Sequence, residues 1–194
     1  GSDPANPLSI PGTTSAAEIS SRKILIKDRP DDNESKRKSV LRSKAAGGSF
    51  PAPLSADDPR CNGSPAGTAK VTVSVASSTS GQNHTVGLPC ENWQLLGRDS
   101  NPRGYKYKDK ELDDGTVKIA VWKEGKLKMV LQGKGSSTLD YDLVSGVSQG
   151  VVDILLDNQG GGFCMACGPF KGKDGSDGKK FLGKSCAAPS SCGL

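Results

Sequence analysis

The sequence predicts an all-β fold, an antiparallel β-sandwich or barrel-like domain that is disulfide-stapled and carries an N-terminal extended arm. Three observations predict it. Apolar residues recur with period 2 in roughly ten short runs separated by turn residues, the alternation of half-buried strands. Six cysteines accompany 25 glycines in 194 residues, which implies many turns and short elements held by oxidised sulfur. No convincing amphipathic helix interrupts the pattern.

Three regions follow from composition. Residues 1–20 form an extended arm or linker rich in Pro and Thr, in which Leu8 and Ile10 are the sizeable apolar groups before Ile19. Residues 21–50 make a β-hairpin, an edge or small subdomain, in which the strand at 23–27 turns through Asp28-Arg29-Pro30-Asp31-Asp32-Asn33 and returns at 37–42. Residues 51–194 form the main sandwich, opening on a Gly- and Pro-rich loop that runs from within the hairpin region to residue 69.

Within the main region, Val71, Val73 and Val75 alternate with Thr72 and Ser74, and residues 84–88 supply a short partner across a polar turn. Residues 93–96 form a strand or a single helical turn, and Tyr105-Lys106-Tyr107-Lys108 alternates again. Val117, Ile119 and Val121 mark the next strand, with Glu124-Gly125 as the turn and 127–131 as its mate. Strands at 138–144 and 151–156 follow, and a short one at 162–167 is the last.

Only 34% of residues are hydrophobic and 5% aromatic, so the core is thin, and 24% are charged. The formal charge of +5 is modest, but nine basic residues fall between Arg22 and Lys44 and five between Lys171 and Lys184. Such clusters suit phosphate, acidic glycans or an anionic surface. No aromatic is interleaved with the first cluster, so a solvated face is expected and a nucleic-acid partner is not. No apolar run reaches the ~20 residues of a membrane span. The cysteines point to an oxidising compartment, and the chain reads as a mature exported protein.

The segment Asn101-Pro102-Arg103-Gly104-Tyr105-Lys106-Tyr107-Lys108-Asp109-Lys110, with Arg22 to Asp28 and Asp57-Asp58-Pro59 before it and Cys192 after it, resembles an uncharacterised family of secreted and cell-surface bacterial β-domains with a Tyr-Lys-Tyr-Lys-Asp core motif. The resemblance spans about residues 20–192 and implies a bacterial extracellular or cell-surface location without an activity. Members often place a cysteine pair on the two strands after the motif. Val117 and Leu131 stand near those positions here, so packing is expected in place of a bridge, and extra cysteines lie near the end.

Cys61 and Cys90 flank the 70–88 hairpin, and a bridge there closes a loop worth about 3–4 kcal/mol in chain entropy. Cys164, Cys167, Cys186 and Cys192 crowd the C-terminal end. Their C-x2-C…C-x5-C spacing invites zinc or redox chemistry, but the second pair is too widely spaced for an ordinary zinc ribbon and no histidine is near. Disulfides linking Cys164 or Cys167 to Cys186 and Cys192 are expected, with connectivity open and no metal or cofactor.

His84, the sole histidine, is expected at a surface or strand end, since no nucleophile-elbow pattern accompanies it. The pairs Asp31-Asp32, Asp57-Asp58 and Asp113-Asp114 suit turns better than the facing carboxylates of a glycosidase. Asp174-Gly175-Ser176-Asp177-Gly178 lacks the spacing of a calcium loop. Trp93, Trp122, Tyr105 and Tyr107 remain as candidates for a ligand-stacking platform beside their commoner role in packing. Trp122 alternates against Val117, Ile119 and Val121, which would expose it.

The expected function is a non-enzymatic extracellular structural or assembly module, its partner itself or another cell-surface protein, with Leu8 and Ile10 of the arm adding to a neighbour's sheet edge. A carbohydrate-binding module with a glycan partner is the alternative. A hydrolase using carboxylates is the third reading; no catalytic residue is assigned.

Overall fold

A computed structural model describes residues 17–28, 36–43, 58–61, 69–76, 83–123, 125–134, 137–158, 161–168 and 173–192. Leu8 and Ile10, and most of the 45–69 loop, lie outside the described residues. The described strands are β1 (Ala17–Glu18), β2 (Ser21–Lys27), β3 (Lys38–Ser43), β4 (Lys70–Val75), β5 (Asn83–Gly87), β6 (Trp93–Arg98), β7 (Asn101–Lys108), β8 (Val117–Lys123), β9 (Lys126–Gln132), β10 (Val152–Asn158), β11 (Gly161–Cys167) and β12 (Lys180–Cys186). They form a five-stranded sheet, β1-β11-β10-β4-β5, and a seven-stranded sheet, β12-β2-β3-β9-β8-β7-β6. Pairing is antiparallel except for β1 on β11. The two sheets pack as a β-sandwich.

The inner faces follow the alternation. Val71, Val73, Val75, Val152, Ile154 and Leu156 of the smaller sheet meet Ile24, Ile26, Leu41, Met129, Leu131 and Trp122 of the larger, all buried. Burying one such side chain contributes about 1.5–3 kcal/mol. Val117 and Leu131 are direct cross-strand partners, both buried.

Four elements refine or correct the sequence expectation. The 21–50 hairpin lies inside the larger sheet rather than at an edge, with β2 paired to β12 and β3 paired to β9. Residues 93–96 are strand, preceded by a 3-10 turn at Cys90–Asn92. The expected strand at 138–144 has buried Leu139, Tyr141 and Leu143 but joins no ladder. Its backbone bonds instead to His84 of β5 and to Asp28 and Arg37, which follow β2 and precede β3: the Leu143 N–H donates to Asp28 Oδ2 (2.8 Å), the Asp140 N–H to His84 Nδ1 (3.2 Å), and Arg37 Nη1 donates to the Leu139 carbonyl (3.3 Å). Finally, β12 escapes the alternation pattern. Phe181 and Leu182 carry its apolar character between glycines and lysines that read as loop.

A β-bulge decides where Trp122 points. The β8–β9 ladder steps from Val117–Leu131 to Ile119–Val130, leaving Lys118 as the extra residue. From there the faces exchange. Ala120 and Trp122 enter the core, while Ile119 and Val121 turn outward and stay half-buried.

Candidate polyanion-binding face

The strands of the larger sheet carry fifteen Lys or Arg residues and no Asp or Glu. Alternation sends many of these cations to the outer face, because the inner positions are taken by the core. Cross-strand register then sorts them into rows. One row runs Lys184, Lys23, Arg42 and Lys128 on four adjacent strands, passes Val121, and reaches Lys106. A second holds Lys180, Lys27 and Lys38, ending at Gln132. Between them lies an aliphatic row, Leu182, Leu25, Val40, Val130 and Ile119, closed by Lys108. Its members are half-buried, except Leu25, which is buried. Adjacent strands are about 4.8 Å apart, and the two cationic rows, four residues apart along each strand, are about 13 Å apart.

Among the described residues no carboxylate pairs with these cations; the ion pairs fall elsewhere, as at Arg37–Asp28, Arg60–Asp58 and Lys70–Asp157. Crowding is felt locally. The charge of Lys110, some desolvation and then the charge of Lys106 hold the Lys108 ammonium below the ordinary lysine range. At one end the first row opens into a groove of about 510 Å³ lined by Arg22, Arg42, Lys126, Lys128, Ser43 and Ser185. The two basic sequence clusters, Arg22–Lys44 and Lys171–Lys184, thus become neighbours through β12–β2 pairing. Counting charge along the chain gives no sign of this; the missing signal is β12.

The candidate aromatic platform is not formed, and the four residues take the commoner packing role. Trp93, Tyr105, Tyr107 and Trp122 are 5%, 2%, 1% and 2% exposed, so none offers a face to a ligand. They fill the core instead: Trp122 meets Phe163 edge-on across the sheets at 5.3 Å, Tyr105 lies 5.9 Å from Trp122, and Trp93 lies 5.4 Å from Tyr107. The Tyr-Lys-Tyr-Lys-Asp motif is therefore a folding motif. Its tyrosines fill the interior and its lysines face outward. Asp109 caps the loop that follows, accepting from the N–H groups of Leu112 (2.7 Å), Asp113 (3.3 Å) and Asp114 (3.0 Å).

Asp58 works similarly. Burial pushes its carboxyl up, but hydrogen bonds and charge from Arg60 outweigh this and hold it below the usual carboxylate range. The Arg60 guanidinium in turn lies over the Tyr105 ring at 5.8 Å.

The cysteines pair as Cys61–Cys90, Cys164–Cys192 and Cys167–Cys186. Cys164 and Cys167 are three apart on β11, so their side chains leave opposite faces of the sheet. Cys167 points inward and bridges to β12 of the other sheet, while Cys164 points outward and ties down the C-terminal tail. That geometry denies the pair a shared metal or a mutual bond. Cys61, Cys90 and Glu91 also cluster, but both sulfurs are spent in a disulfide.

His84 stands at the start of β5, a strand end as expected, but is buried and not at the surface. Its Nε2 lies 2.8 Å from Thr116 Oγ1 and its Nδ1 3.0 Å from Asp140 Oδ2. The order Thr-His-Asp resembles a hydrolytic triad, yet Thr116 is only 3% exposed. The array ties β5 to the 138–144 segment. Asp174 accepts from Ser176, and Asp177 from the N–H groups of Lys179 and Lys180, so these carboxylates organise their own turns. Asp114 accepts from Asn92 Nδ2 at 2.7 Å, also a loop contact. Asp31, Asp32 and Asp57 lie outside the described residues.

Comparison with family models, curated proteins and solved structures finds no match to this chain.

Proposed function

We propose that the protein is a non-enzymatic extracellular module of the bacterial cell surface that acts by adhesion, holding an anionic polymer against the outer face of its larger sheet. The observation that carries this reading is the charge of that sheet, fifteen cations without one acid in its strands. Self-repulsion of such a face costs stability, and the core does not require it. The three disulfides fit folding in an oxidising compartment, and among the described residues no helix is long and apolar enough to cross a membrane. The resemblance of the Tyr105–Asp109 segment to cell-surface domains supports the location. Retention on immobilised dextran sulfate but not on neutral dextran, reversed by salt, is the expected result. Passage through both matrices at low ionic strength would refute adhesion.

A second reading, self-assembly through the arm, is favoured by β1. Ala17 and Glu18 already pair in parallel with Phe163 and Cys164 at the edge of the smaller sheet, and the Ile19 N–H donates to the Cys164 carbonyl at 2.9 Å. The arm thus ends as an edge strand. Removing residues 1–16 should abolish any oligomer seen by light scattering; an unchanged mass would end this reading.

A further inference from the structure

Charge alone does not select among polyanions, and the row between the cations narrows the choice. Leu182, Leu25, Val40, Val130 and Ile119 follow one another across five strands, an aliphatic strip about 19 Å long with cationic rows about 6–7 Å to either side. A partner satisfying strip and rows together must itself be amphipathic in cross-section, with an apolar surface toward the sheet and anionic groups along its margins. A pyranose chain bearing carboxylates or sulfates has this form, because its ring C–H faces are apolar and its charges lie at the rim. Polyglutamate-like and polyphosphate polyanions lack the apolar face. Single-stranded nucleic acid would call for exposed aromatics to stack its bases, and Trp93, Tyr105, Tyr107, Trp122 and Phe181 of this sheet are all turned into the core. Lysine supplies the rows except at Arg42, and lysines act as point charges rather than as bidentate forks. That suits charge density along a chain more than one planar phosphate.

We infer that the ligand of this face is an acidic polysaccharide, its rings on the aliphatic strip and its anionic groups along the lysine rows, with the Arg22–Arg42–Lys126–Lys128 groove seating one charged sugar unit. The groove, about 510 Å³, falls within the size of small-ligand sites, roughly 300–1,000 Å³. This inference rests on the adhesive reading above.

The test compares an oligogalacturonate, a sulfated glucan oligomer, poly-L-glutamate and single-stranded DNA, matched in number of charges, by calorimetric titration at physiological ionic strength. The better glycan should bind at least about tenfold tighter than polyglutamate, since it alone buries the strip. Whether the carboxylated or the sulfated oligomer leads identifies the anionic group. The double variant Val40→Thr/Val130→Thr, which preserves shape and strand propensity, should bring the glycan to the level of polyglutamate and leave polyglutamate unaffected. Arg22→Gln and Arg42→Gln should each weaken glycan binding about two- to fivefold. Equal affinity for all four polymers, or DNA binding tightest, overturns the inference while adhesion stands. Binding of none of them overturns the adhesive reading itself.

Discussion

The two sheets share one interior but present opposite exteriors. The outer face of the smaller sheet is short and polar: Thr72 bonds Thr85 at 2.9 Å, and Asp153 and Asp157 flank Leu155. Part of it is covered by its own chain, since Pro189, Ser191 and Cys192 lie against Asp153, Leu155 and Cys164. Burial there pushes the Asp153 carboxyl above its ordinary range. The outer face of the larger sheet is basic and its strands are free of acids, and Lys27, Lys38, Arg42, Lys108 and Lys184 on it are exposed. Packing accounts for the shared interior and for part of the smaller sheet's exterior, but not for the charge of the larger sheet's exterior. The difference teaches that the smaller sheet completes the fold, while the larger one offers a surface that folding alone leaves unexplained.

The sharpest way to break this contrast is through the shared interior. Trp122→Ala removes the ring that meets Phe163 across the sheets and should cost about 3–5 kcal/mol in urea unfolding. A loss below about 1 kcal/mol would mean that the ring is not in the core.

Replacing both Cys167 and Cys186 by serine cuts the link between the sheets and should cost about 2–4 kcal/mol. Gly183→Ala should destabilise the same site, because a Cβ there would collide with the Cys167 sulfur. Non-reducing mass analysis that finds free thiols would contradict the pairing.

Asp58→Asn should cost about 1–2 kcal/mol by weakening charge-assisted bonds to Arg60. Because the folded pKa of Asp58 is lowered, its contribution is complete above the unfolded value of 3.8 and is lost as pH falls through the lower folded value. As pH falls below about 4 the Asp58→Asn variant should therefore lose less stability than the parent. Parallel pH profiles would remove Asp58 from the account.

The smallest effect belongs to the exposed exterior. Lys27→Gln or Lys38→Gln should change stability by no more than about 0.5 kcal/mol, and added NaCl should raise the Tm of the parent by screening the rows. A loss of several kcal/mol at either lysine would make the face a folding element after all.

Much of this architecture is legible in the residues. Val71-Thr72-Val73-Ser74-Val75 announces its strand by local alternation, which needs no partner to be recognised. The site is far less legible. Lys23 and Lys184 stand next to each other only because β12 pairs with β2, and β12 itself hides among glycines and lysines. Period 2 carried straight through Lys118 places Trp122 outside, whereas the chain inserts one residue there and turns the ring inward.

The sequence alone determined the all-β class, the inward Val71, Val73 and Val75 of a regular strand, and the commitment of six cysteines to bridges, because side-chain alternation and sulfur chemistry act over a few residues. Tertiary structure alone decided that Cys164 and Cys167 part to opposite faces toward different partners, that the aromatics close the interior, and that scattered lysines align in rows. Those outcomes depend on register between strands distant in the chain, and register is fixed by which faces find each other when the two sheets meet.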